Sequence, residues 1–92
     1  MADGVAVRIP DPNALEIIRR GAARVVQVSE DEIKAAMRAY YTDTHNLAEG
    51  AGAAPLAALL KETDSLKGKR AGVVLSGGNV DAPVFRAVLE EG

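Results

Sequence analysis

Ser76, Gly77, Gly78 and Asn79 set a hydroxyl and a carboxamide on either side of two glycines. A residue without a Cβ can turn at positive φ and lets a ligand come close to the backbone. A loop of this kind that opens a helix also leaves N–H groups free, and such groups favour an anion. The chemistry within reach is capture of a small anion beside a hydroxyl and a carboxamide. A plain tight turn between a strand and a helix would use the same residue types, and composition leaves both readings open. The spacing fits neither the dinucleotide fingerprint G-x-G-x-x-G nor the phosphate loop G-x-x-x-x-G-K-[ST].

Glu49 stands in the small-residue run Ala48-Glu49-Gly50-Ala51-Gly52-Ala53-Ala54. A carboxylate there is either a solvated acid at a helix start or one placed for a partner. The small side chains admit either another backbone at close range or a bound cofactor or substrate. His45 follows Thr42, Asp43 and Thr44 at a helix junction, where a capping role fits it better than catalysis. With one histidine and no cysteine, metal ligands are in short supply, and no metal site is expected. The hydroxyls, the histidine and the acids show no ordering that suggests a Ser-His-Asp arrangement.

The elements that must position these residues follow from periodicity. Ala71 to Leu75 is an apolar run that predicts a strand buried on both faces, delivering Ser76 at its carboxyl end. Ala23 to Val28 is rich in valine and predicts a second strand. Val5 to Ile9 alternates and stops at Pro10, as a short extended edge would. Asp11-Pro12-Asn13 starts a short helix, Ala14 to Arg20, with Leu15 and Ile18 on one face and Gly21 as its stop. Ser29 and Glu32 form a capping box for a helix over Glu30 to Thr42. Its apolar positions Ile33, Ala36, Met37, Tyr40 and Tyr41 keep helical spacing throughout, and both tyrosines are expected in the core. A further helix is predicted over Leu47 to Lys61, weakened by Gly50 and Gly52 and kinked or re-started at Pro55. Asp81 caps a last helix, Ala82 to Glu90, with Val84, Phe85, Val88 and Leu89 as its stripe and Pro83 in its first turn. Strands separated by helices imply an α/β fold: a partial parallel sheet with flanking helices. Two main strands do not complete such a sheet, so the chain is expected to be one slice of a larger one.

Size and charge narrow the function. Ninety-two residues make a single domain, 1–92, with a small core. A net charge of −2 offers no basic footprint for nucleic acid or an anionic membrane. Tyr40, Tyr41 and Phe85 are too few for a base-stacking platform. The apolar runs fall well short of a membrane span, and the start MADGVAVRIPD has no signal-peptide pattern. The expectation is a cytoplasmic protein with no nucleic-acid or membrane partner.

MADGVAV, VVQVSEDEIKAAM, THNLAEGAGAAPLAALL and GKRAGVVLSGGNVD together resemble the C-terminal part of the catalytic domain of threonine dehydratases. These stand with serine dehydratases and serine racemase among the fold type II pyridoxal-phosphate enzymes, the tryptophan-synthase-β-like group. The resemblance covers nearly the whole chain in the family's order, and implies that the α/β slice belongs to the large domain of that fold. It implies that Ser76 hydrogen-bonds the pyridine nitrogen of pyridoxal phosphate. A neutral hydroxyl does not hold a pyridinium, so the ring nitrogen would stay largely unprotonated. Gly77, Gly78 and Asn79 would shape the turn around the ring edge. Glu49 matches an acid near the ring, with Gly50 and Ala51 as the wall beside it.

The departures carry as much weight. The family's cofactor is held by a lysine in a motif like S-F-K-x-R-G-A, and Lys34, Lys61, Lys67 and Lys69 all stand in other contexts. The family's glycine-rich phosphate loop and its small substrate-closing domain have no counterpart in these residues. No catalytic residue is therefore assigned, and stable cofactor binding by these residues alone is not expected. The expectation is a C-terminal fragment of a threonine or serine dehydratase-like lyase, inactive alone. It would act as a homo-oligomer or with a partner chain carrying the rest of the enzyme. The alternative is a non-catalytic module that self-associates or complements a partner.

Overall fold

The computed structural model describes residues 1–5 and 9–92. Among them a 3₁₀ turn, Asp3–Val5, precedes four helices: α1 (Pro12–Gly21), α2 (Glu30–Thr44), α3 (Gly50–Lys61) and α4 (Ala82–Glu90).

Helix α2 begins where the capping box places it. The Glu32 N–H donates to the Ser29 hydroxyl at 3.1 Å, and the Ser29 N–H donates to the Glu32 carboxylate at 2.7 Å. The helix runs past the expected Thr42 to Thr44 and stops at His45, which takes the left-handed conformation at φ 58°. The Asn46 N–H then closes the end on the Tyr40 carbonyl at 3.2 Å. That is the αL closure common at helix ends, here without a glycine, and it bears out the junction role of His45.

The core joins α2, α3 and α4. Ile33, Ala36 and Met37 meet Ala48, Ala53 and Ala57, with Phe85 and Val88 closing one side. Alanines on α3 let its backbone lie close to α2, so Met37 fills the space between them. Tyr40 packs on the edge of this core, as expected, but Tyr41 does not enter it. Tyr41 stays 46% exposed and meets Phe85 edge-on, ring centres 5.3 Å apart. Arg38 reaches from α2 to donate to the Val88 carbonyl of α4 at 3.0 Å, and Lys34 pairs with Glu91 at 3.0 Å. Cations at a helix C-terminus oppose its negative dipole end, so both contacts dock α4 favourably. Of the α4 stripe, Phe85 and Val88 are buried, while Val84 and Leu89 face outward.

Helix α3 starts at Gly50, not Leu47, and continues through Pro55. Helix α1 is capped by Asp11, whose carboxylate accepts from the Asn13 N–H at 3.1 Å. It packs on none of the other helices, and Ile17 and Ile18 are exposed.

The expected α/β fold is overturned: the described residues hold no strand, and hence no partial parallel sheet. Neither Ala23–Val28 nor Ala71–Leu75 forms a ladder, and no backbone hydrogen bond joins the two. Nor is the second segment buried, since Val74 is 72% exposed. β-Branched composition favours a half-buried pleated surface but does not supply the neighbouring strand whose N–H and C=O groups make one. The segments are held through side chains instead. Lys61 donates to the Gln27 carbonyl at 2.9 Å, Arg24 pairs with Glu62 at 3.1 Å, and Val28 and Leu75 tuck against the helical core. The extended piece expected over Val5 to Ile9 falls mainly on residues 6–8, outside the described residues; Val5 itself ends the 3₁₀ turn.

Candidate functional site

Two segments distant in sequence meet backbone to backbone. The Glu49 N–H, at the N-cap of α3, donates to the Gly77 carbonyl at 3.1 Å. Three glycines make this approach possible. A methyl group on Gly52 would lie 2.5 Å from the Gly77 oxygen and 3.1 Å from its nitrogen. One on Gly77 would collide with the Glu49 carboxylate, and one on Gly78 with the Leu47 carbonyl. The loop after the expected strand and the lead-in to α3 are thus one interlocked unit. This also explains the late start of α3, because Leu47 to Glu49 are engaged with the glycine loop.

Beside the interlock lies a pocket of about 340 Å³ lined by Glu49, Gly50, Ala51 and Asn79, together with Asp3 and Asp81. Four of the seven residues singled out from sequence therefore share one pocket. Ser76, Gly77 and Gly78 are not on its wall. Ser76 is exposed, and among the described residues its hydroxyl makes no hydrogen bond. The 3₁₀ turn closes one side of the pocket, with Gly4 against the Ala51 methyl and the Met1 carbonyl against Gly50. Sequence reasoning missed Gly52, Leu47, Asp3 and Asp81. Only Gly52 carried a signal, as the second glycine of Glu-Gly-Ala-Gly; the other three depend on tertiary proximity.

The model of the family described as pyridoxal-phosphate dependent enzyme matches residues 1–77. The chain belongs to that family. Its match takes in α1, α2, α3, Glu49, Ser76 and Gly77. Over its whole length the chain is 47% identical to an L-threonine ammonia-lyase of Geobacter sulfurreducens and 36% identical to one of Thermotoga maritima, covering 23% of each. It is 36% identical to a catabolic L-threonine dehydratase of Staphylococcus aureus, covering 28% of that protein. The chain thus spans about a quarter of the length of these curated relatives.

Members of a pyridoxal-phosphate dependent enzyme family must hold a pyridine ring, an aldehyde and a phosphate ester. The described residues fit one of the three. Of the two polar side chains of the loop, the Asn79 carboxamide lines this pocket and suits a polar ring edge, while Ser76 lies off its wall. No lysine or arginine lines the pocket among the described residues, and its ionisable side chains are the carboxylates of Asp3, Glu49 and Asp81. Such a wall repels a phosphate ester and offers no side-chain amine to an aldehyde. Lys34 and Lys61 are engaged elsewhere, with Glu91 and with Gln27 and Glu32. The described residues alone do not fit the whole group. Among the described residues no helix is long and apolar enough to cross a membrane.

Proposed function

We propose that this chain is the C-terminal part of the catalytic domain of a threonine dehydratase-like pyridoxal-phosphate lyase, and that it is inactive alone. The observation that carries this is the end-to-end match to L-threonine ammonia-lyases that are about four times longer. The parent reaction removes the α-proton of L-threonine and expels the β-hydroxyl as water; hydrolysis of the resulting enamine then takes a water back and gives 2-oxobutanoate and ammonia. Bound pyridoxal phosphate supplies the electron sink for that chemistry. In this reading the chain contributes one edge of the cofactor site. Ser76 meets the ring nitrogen as a neutral partner, Gly77, Gly78 and Asn79 follow the ring edge, and Glu49, Gly50 and Ala51 form the adjoining wall. The lysine and the phosphate loop come from the remaining three quarters of the enzyme.

The test is to incubate the purified chain with pyridoxal phosphate and L-threonine. We expect no 2-oxobutanoate and no new cofactor absorbance band; both appearing from this chain alone would overturn the reading. Adding the missing portion of the Geobacter sulfurreducens lyase as a separate polypeptide should restore 2-oxobutanoate formation, and Ser76→Ala should lower it.

A second reading has its own support. The apolar face of α1 is uncovered, and an apolar groove of about 520 Å³ runs beside Tyr41, Leu47, Phe85 and Leu89. Surfaces of this kind seek company, which favours a module that self-associates or complements a partner. Light scattering at micromolar concentration should then show a dimer or larger species, and a stable monomer would remove self-association.

A further inference from the structure

We propose that Gly52 is a positioning residue. Its bare backbone sets the Ser76–Asn79 loop against α3 and, through Gly77, seats the Glu49 carboxylate. This rests on the proposed role of that loop as a cofactor edge.

Gly52 is buried in the first turn of α3. The space its side chain would occupy holds the Gly77 peptide, with the oxygen 2.5 Å from the Cβ position. Real Cβ atoms do not come that close to a carbonyl oxygen, and the atom in the way is backbone. A side chain at Gly52 therefore has to push the whole loop outward. The Glu49 N–H···Gly77 bond, at 3.1 Å, spans the same gap and breaks when it widens. The second step follows from Gly77. The Glu49 carboxylate lies where a Gly77 side chain would be, so the glycine there makes room for the carboxylate. Gly52 thus acts at one remove: it places Gly77, and Gly77 leaves the seat for Glu49. An alanine within a helix ordinarily favours the helix over glycine. Here the interlock opposes that preference, which separates positioning from helix propensity.

The experiment is amide hydrogen exchange followed by NMR on the full chain. In Gly52→Ala, protection of the Glu49 amide should fall at least tenfold, while Ile33 and Met37 in α2 change less than twofold. Gly72→Ala is the control, since a methyl group there meets nothing within 4 Å, and it should leave Glu49 protection unchanged. Retained protection of Glu49 in Gly52→Ala overturns the proposal, and so does an equal loss throughout α2, which marks a merely structural role. If Gly52→Ala does not fold, Gly77→Ala tests the second step, because its collision is with the end of a flexible side chain. The Glu49 carboxyl ¹³C resonance should then move while the Glu49 amide stays protected; an unmoved resonance overturns the seating. A last measurement separates this inference from the function it rests on. In the lyase restored by the missing polypeptide, Gly52→Ala should raise the KM for pyridoxal phosphate at least fivefold and leave kcat at saturating cofactor within twofold. Lost Glu49 protection with an unchanged cofactor KM supports the positioning and removes the cofactor-edge reading.

Discussion

Ser29 and Glu32 bind each other's backbone N–H groups, and that exchange makes the start of α2 sensitive to acid. The Glu32 carboxyl is held below its ordinary value of 4.5, first by the Ser29 N–H, then by the Ser29 hydroxyl, with Lys61 adding to both. Because the folded chain binds this proton less readily than the unfolded one, the contribution is complete above the ordinary carboxylate range and is lost as pH falls through the lowered value. The Ser29 amide resonance should therefore shift in one acid step, and Glu32→Gln should abolish that step. Ser29→Ala should cost about 1 kcal/mol in denaturant unfolding, the usual worth of an N-cap hydroxyl. Lys34 gives the opposite sign. Glu91 raises its pKa above 10.5, so its stabilisation is complete below that value and fades as pH rises through the raised one. The capping box was legible because both its partners lie within one turn of chain. The seat of Glu49 was not, because its neighbour Gly77 is brought to it by folding.

Helices α2 and α3 carry most of the packing, and Met37, wholly buried between them, is the most exposed to loss by mutation. Met37→Ala should destabilise the chain by about 2–5 kcal/mol, and a core this small is expected to melt in part at room temperature. Arg38→Met should cost about 1–2 kcal/mol by removing the charged donor from the Val88 carbonyl, with the loss reported first by amides of α4. By contrast, Ile17→Lys on α1 should change stability by less than about 0.5 kcal/mol, since that helix rests on no other. Circular dichroism with denaturant titration checks all three. The same elements show how far periodicity reaches. The helix over Ala82 to Glu90 appears with the bounds that its proline and apolar spacing predict. The two valine-rich segments had strand composition, but a strand is a relation between two segments, and neither finds the other.

The molecule as a whole is thin for its length, with extents of 40 × 36 × 18 Å. Its radius of gyration is 14.2 Å, against about 12 Å for a compact domain of this size. The excess lies with α1 and the two unpaired segments, where Ile17, Val25 and Val74 are all more than 60% exposed. A slab with that much uncovered apolar surface is expected to bind a hydrophobic dye more strongly than a compact domain of equal mass. On the proposed reading, adding the rest of the Geobacter sulfurreducens lyase as a separate polypeptide should quench that signal; unchanged dye binding would show that these faces are not where that polypeptide packs. The sequence alone settled what neighbouring residues settle: the Asp11 cap of α1, the capping box of α2, the bounds of α4 (though Asp81 makes no side-chain cap bond there), and a motif order that marks the pyridoxal-phosphate family. Only the tertiary structure decided that no sheet forms among the described residues, that Tyr41 lies outside the core, and that Gly52, Gly77 and Gly78 make room for the chain's own atoms. The physical reason is one of range. A cap or a helical stripe is set within a few residues, whereas the meaning of a glycine or a valine run depends on which distant atoms fill the space beside it.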